Sequence, residues 1–265
     1  ISVDASLTEE GTLSGGGLLQ LRNQSGGQLI EGSLDIDLDE GTDRDRRWRV
    51  APDGSLLLLG ESEGANDYQG VHTTGAWESA WLGGHLRING AAGIETSSSS
   101  SLENLIVPGG AQVRSGDNQE AEGEAGIRYT RSLSSGHQIE LVGFQSFEQD
   151  DGASTFNTPD LASTSASEAL SGESIVRATI KAPSDGDWSF DGGGEAVYNF
   201  SDSSRTRSLD GLPFELEGDE SRIEELRGEA FGSATWAPSD TLSLESALRY
   251  EWSRIDATVG ANISE

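Results

Sequence analysis

Between Arg222 and Arg254 the side chains alternate in character with a period of two over two successive runs. In the second run Leu242, Leu244, Leu248, Tyr250 and Trp252 fall on one side, and Ser243, Glu245, Arg249, Glu251 and Ser253 on the other. In the first, Leu226, Gly228, Ala230, Gly232, Ala234 and Trp236 oppose Glu225, Arg227 and Glu229. Period two is the repeat of a β-strand with one apolar and one wet face, whereas a helix repeats every ~3.6 residues. The intervening Ala237-Pro238-Ser239-Asp240-Thr241 has turn composition, so the stretch reads as a hairpin. Each arm is about twice the usual ~5–6-residue strand of a soluble domain. A tilted strand crossing a bilayer needs about 9–11 residues and shows the same alternation. The hairpin therefore points to two neighbouring staves of an outer-membrane-type β-barrel.

Composition narrows the partners. Asp plus Glu number 46 against 17 Lys plus Arg, a formal charge of −29. Nucleic acid is excluded as a partner, because binding to phosphate depends on cationic contacts. An anionic inner-leaflet surface is disfavoured on the same ground. Hydrophobic content is only 34%, but these residues sit in alternating runs rather than thinly spread, which argues against disorder. The absence of cysteine removes disulfides and thiolate metal sites. No run of eighteen apolar residues exists, so a transmembrane helix is not expected, whereas a barrel needs only every second residue apolar. The chain has no methionine, even at position 1, which suggests removal of a signal peptide or of a longer N-terminal region.

The same pattern recurs along the chain. Residues 1–14 read as a lead-in, followed by strands over Gly15–Asn23 and Gln28–Asp39 around the turn Ser25-Gly26-Gly27, with Gly41-Thr42 ending the second. Further hairpins are expected around Pro52-Asp53-Gly54, Leu82-Gly83-Gly84, Ser134-Ser135-Gly136 and Pro183-Ser184-Asp185-Gly186. Three polar segments, 96–119, 149–171 and 201–221, read as long loops; such loops are unusual inside a compact soluble domain and normal on one side of an outer-membrane barrel. The expectation is a single all-β domain over 1–265, an antiparallel up-and-down meander of about twelve long strands forming a barrel or partial barrel.

Short stretches carry a family resemblance. Gly194-Glu-Ala-Val-Tyr-Asn-Phe200, Arg227-Gly-Glu-Ala-Phe231, Trp236-Ala-Pro-Ser-Asp-Thr-Leu-Ser-Leu-Glu245 and Leu248-Arg-Tyr-Glu-Trp-Ser-Arg254 resemble the barrel part of TonB-dependent receptors, as does Ser25-Gly-Gly-Gln-Leu-Ile-Glu-Gly-Ser-Leu34. The resemblance implies a large barrel enclosing a plug, located in the bacterial outer membrane and serving ligand uptake. No plug pattern or TonB-contacting segment is evident, and residues 262–265 lack a terminal aromatic residue, so the chain is expected to be about the first half of such a barrel. Its partners would be membrane lipid and its own remaining strands. The alternative is a secreted or surface subunit whose open edges pair with other copies into a ring, tube or filament, since unpaired edges are costly.

Candidate sites follow from the alternation. Glu225, Arg227, Glu229, Glu245, Arg249 and Glu251 share one hairpin face, as a structural charge ladder or as a lumen or ligand surface. Trp77, Trp81, Trp188, Trp236, Tyr250 and Trp252 fit membrane-interface girdles; the competing reading is the core of a sandwich. Asp35, Asp37 and Asp39 open the densest acidic run. A calcium site is the sharper reading there and a solvated strand face the simpler one, since the following glycine is misplaced for an EF-hand. No other cofactor is expected. His72, His85 and His137 stand apart in sequence, and no catalytic triad or phosphate loop can be argued, so an enzyme is not expected.

Overall fold

A computed structural model describes residues 2–7, 12–107, 109–183, 186–216, 218–239 and 241–260. They form β1 (Ser2–Leu7), β2 (Leu13–Ser25), β3 (Gln28–Val50), β4 (Leu56–Trp81), β5 (Gly84–Val107), β6 (Gly110–Ser132), β7 (Gln138–Thr158), β8 (Leu161–Lys181), β9 (Trp188–Leu209), β10 (Leu212–Phe214), β11 (Glu220–Ser239) and β12 (Leu242–Gly260). All lie in one antiparallel sheet that follows chain order, except that the short β10 pairs beside β9. The all-β, antiparallel meander expected from the alternation is the observed fold. β1 and β12 are its two edges, and among the described residues no pairing joins them.

Most of the described residues in the three expected loops are instead strand. Residues 96–119 complete β5 and open β6, where Ser97 pairs with Asn118 and Ser101 with Arg114. Residues 149–171 belong to β7 and β8, with Ala153 opposite Ala166. In 201–221, β9 continues to Leu209, β10 folds back on it, and β11 begins at Glu220. The chain continues as strand because backbone pairing satisfies every N–H and C=O whether or not the side chains alternate in polarity. Gly41, expected to end a strand, is likewise internal to β3 and pairs with Asn66. Of the 1–14 lead-in, Ser2–Leu7 forms β1 and pairs with the start of β2.

Tight turns close the hairpins. At the rim called lower here, Gly26-Gly27 and Leu82-Gly83 have positive φ at both central positions (60° and 78°; 48° and 74°). That geometry matches the right-handed twist of the strands that leave it, and Leu82 adopts it despite its Cβ. At the opposite, upper rim, Asp210-Gly211 repeats it at 52° and 78°.

No conventional core exists. Among the described residues only Leu86 and Val197 are buried hydrophobics, and the accessible surface is 17781 Å². A compact protein of this mass exposes about 11,000 Å². The molecule is a single-layer wall with two faces.

Candidate functional site

Register fixes what each face carries. One row runs Ile30, Trp77, Ile88, Ile127, Gly143, Val176, Ala196, Gly228, Trp252 across nine strands without a polar side chain. One residue away, on the other face, the row reads Leu29, Glu78, Arg87, Arg128, Val142, Arg177, Glu195, Glu229, Glu251. These are the apolar and the charged faces.

The apolar face is a belt rather than a full surface. On β3 it spans residues 30–38, on β4 71–81, on β5 86–94, on β6 121–129, on β7 139–147, on β11 226–236 and on β12 244–252. These segments are nine to eleven residues long, which at the usual barrel tilt gives a band about 25 Å tall. Toward the upper rim the same face turns polar, through Gln69, Thr96, Gln119, Asp151, Glu168 and Ser204. Belt side chains are largely solvent-exposed, Val176 at 66% and Leu248 at 79%.

All six aromatics singled out from the sequence lie on this face, in two groups. Trp81, Trp188 and Trp236 gather toward the lower rim. Trp81 meets Tyr129 edge-on, with centroids 5.9 Å apart. Trp188 stacks on Phe190 and on Trp236, each at 5.9 Å. Trp77 sits in mid-belt, whereas Trp252 closes the belt on β12, with Arg254 and Asp256 following it on the same face, and Tyr250 lies one position below it. Trp48, exposed near the upper end of β3, was not singled out by the hairpin argument.

The charged face contains Glu225, Arg227, Glu229, Glu245, Arg249 and Glu251, but not as a simple two-strand ladder. Glu229 and Glu251 are directly opposite one another, and Arg249 bridges them at 2.6 and 3.4 Å. Arg227 turns the other way, to Glu195 on β9 at 3.9 Å. Glu225 accepts a hydrogen bond from Asn199 Nδ2 at 3.2 Å. Glu245 has no ion-pair partner among the described residues and faces Thr235. Glu195, not anticipated from the sequence, is the hub: its side chain is 7% exposed and it also binds Arg177 at 2.5 Å. Its parity was legible, but its partners lie on β8 and β11 and depend on register.

Asp35, Asp37 and Asp39 occupy successive positions on the charged face of β3, opposite His72, Gly70 and Tyr68. Alternate residues of one strand are about 7 Å apart, too far to converge on one ion unaided. The described carboxylates that do converge are Glu120, Glu148 and Asp150, with ligand atoms within 4.8 Å of one another. Carboxylate oxygens in such a group are the donor type that calcium takes. Beside them a cavity of about 440 Å³ is lined by Glu122, Glu124, Glu148 and Glu173 with Ser146 and Ser171. His72 is not isolated: Nε2 lies 3.0 Å from Glu95 and Nδ1 3.6 Å from Glu122. The absence of a side chain at Gly93 makes this possible, since a Cβ there would sit 2.7 Å from Nδ1.

Near the upper rim, Arg47 reaches across β4 to the buried Glu103 on β5 through the space left by Gly60. In the turn between β3 and β4, hydrogen bonds from the Ser55 hydroxyl and amide hold the Asp53 carboxyl below its ordinary pKa.

No protein-family model matches the chain, and no curated protein is significantly similar to it. Among solved structures, the ferric yersiniabactin uptake receptor FyuA from Yersinia pestis is 9% identical over 98% of this chain and 52% of that one, with a TM-score of 0.38. BauA, the ferric preacinetobactin receptor from Acinetobacter baumannii, is 11% identical over 93% of this chain and 52% of that one, at 0.35. The β domain of the Bordetella autotransporter BrkA is 11% identical over 94% of both chains, at 0.30. The chain spans about half the length of the two receptors.

Proposed function

We propose that this chain forms wall of an outer-membrane β-barrel of the TonB-dependent-receptor type, for ligand uptake or passage. The observation that carries the reading is the belt. A one-layer sheet without a conventional core among its described residues leaves a band of Leu, Ile, Val and Trp exposed on one face, and a hydrocarbon environment about 25 Å thick matches the height of that band and removes it from water. With the belt against lipid, the charged face lines the lumen, and Arg249, Glu229, Glu195 and their neighbours form its lining. The polar upper half then stands clear of the membrane. The narrower reading, a receptor for an imported ligand, rests on the stretches at 194–200, 227–231 and 236–254.

Tryptophan depth tests it. The protein is refolded into vesicles containing brominated lipids, with Trp77 or Trp252 retained and the remaining tryptophans replaced by phenylalanine. Trp77 should be quenched most strongly by bromines deep in the acyl chains and Trp252 by bromines nearer the headgroups, whereas Trp48 retained alone should respond weakly. Equal, weak quenching of all three, with the protein in rings or fibres, would favour the secreted assembly subunit instead.

A further inference from the structure

Above the level of Glu40, β3 has a neighbouring strand on one side only among the described residues. β2 ends where Leu13 pairs with Glu40. β3 runs on from Gly41 to Val50 with β4 beside it, Gly41 opposite Asn66 and Val50 opposite Leu56. Leu7 pairs with Leu13, so the connection between them returns to the level it left and reaches at most about 10 Å up the wall. β3 rises about 30 Å over its unaccompanied stretch. The step is internal to the chain, because the short β1–β2 hairpin sets it and neither terminus does.

The backbone shows which groups are free. Ser25 and Gln28 flank the two-residue turn Gly26-Gly27, and such a flanking pair exchanges both of its backbone hydrogen bonds. Alternate residues direct their N–H and C=O to the same side, so the even-numbered residues of β3 address β2. Higher up, Thr42, Arg44, Arg46 and Trp48 therefore address the open side. There the Arg46 N–H donates to the Asp45 carboxylate at 2.8 Å, a side-chain acceptor in place of a neighbouring strand's carbonyl. The side chains of this stretch are unlike the rest of the wall. Arg44, Arg46, Arg47 and Arg49 lie close together in a chain whose formal charge is −29. The first three are paired with Glu63, Glu61 and Glu103, whereas Arg49 has no ion pair among the described residues. On the face opposite Arg47 and Arg49, Trp48 is 68% and Val50 50% exposed. Charges alone deter pairing at an edge, but exposed tryptophan beside arginine is the composition of an interface. The belt on β3 ends at residue 38, so hydrocarbon around the belt does not reach Trp48. We propose that the open edge of β3 from Gly41 to Val50 takes an extended segment of a partner protein as an added strand. That segment carries carboxylates on the face of Arg47 and Arg49 and apolar side chains on the face of Trp48 and Val50. Main-chain hydrogen bonds supply the affinity of such a junction and alternate side chains its specificity.

The inference does not depend on the medium around the belt. The full chain is folded in detergent micelles, folding is verified by circular dichroism, and fluorescence anisotropy follows a labelled decapeptide of alternating glutamate and valine. This peptide should bind, and its lysine–valine counterpart should bind roughly tenfold more weakly, since like charges across a strand pair are unfavourable. Arg49→Glu should weaken the first peptide and strengthen the second. Arg46→Pro removes an outward N–H while leaving the pairing with β4 intact, and should bind the glutamate peptide roughly tenfold more weakly than Arg46→Ala. No binding, equal binding of the two peptides, or equal binding by folded Arg46→Pro and Arg46→Ala would each overturn the proposal. So would dimerisation in analytical ultracentrifugation that Arg46→Pro abolishes, because a second copy would then be the occupant. None of these outcomes touches the quenching result.

Discussion

The lower and upper halves of the same strands differ in the polarity of one face. In the lower half one face is apolar and the other charged, as in the rows through Val176 and Arg177; in the upper half both faces are polar, as at Ala166 to Glu168 beside Ser165 and Ser167. Hydrogen-bonded pairing continues through both halves without interruption on β8. Strand formation and face polarity are therefore separate properties of this chain: the first follows from backbone pairing, the second records the medium on each side.

The largest effect that would sharpen this contrast comes from placing one charge in each half of β8. Val176→Arg should destabilise the folded protein in bilayers by about 2–4 kcal/mol, the usual cost of a cation on a lipid face near the midplane. Ala166→Arg, on the same face ten residues away, should stay within about 0.5 kcal/mol. Reversible denaturant titration in lipid vesicles measures both, and equal costs would erase the distinction between the halves.

Glycines give a second contrast. A Cβ on Gly193 would press into the backbone carbonyl of Ala178 and approach the Phe231 ring at 2.9 Å, whereas one on Gly41 meets nothing within 4 Å. Gly193→Ala should cost about 1–3 kcal/mol through overpacking. Gly41→Ala should be close to neutral in the same titration. Removing the hub by Glu195→Ala leaves Arg177 and Arg227 without their shared acceptor, but those side chains are 51% and 34% exposed. Water then compensates in part, and a loss of about 1–2 kcal/mol is expected. The smallest effect lies at the upper rim. Because the Asp53 carboxyl is held below its ordinary pKa, its contribution is present above the unfolded pKa and is lost as pH falls through the folded value. Amide exchange at Ser55, corrected for intrinsic rate, should accelerate as the carboxyl protonates, and Asp53→Ala should remove that pH dependence.

Much of the lower half was legible. The alternation on β11 and β12 separated Trp236, Leu248 and Trp252 from Glu229, Arg249 and Glu251, and the observed register keeps them apart. The glycine turns at Gly27 and Gly83 were legible because few other residues reach positive φ at low cost. The upper half was not. A run such as Ser97–Ser101 has no apolar face to show a period, yet its backbone pairs on both sides. The site was legible by face and not by partner. Arg227 was placed beside β12 acids by proximity in sequence, and the structure takes it to Glu195. His72 looked solitary because Glu95 and Glu122 lie 23 and 50 residues farther along the chain.

The sequence by itself determined that the lower half of the wall is long β-strand with one apolar face, because a period of two is a local property of successive side chains. Tertiary structure alone decided which charge meets which. Ion pairs on this wall join strands through hydrogen-bond register, and register is set by all the pairings of the sheet together.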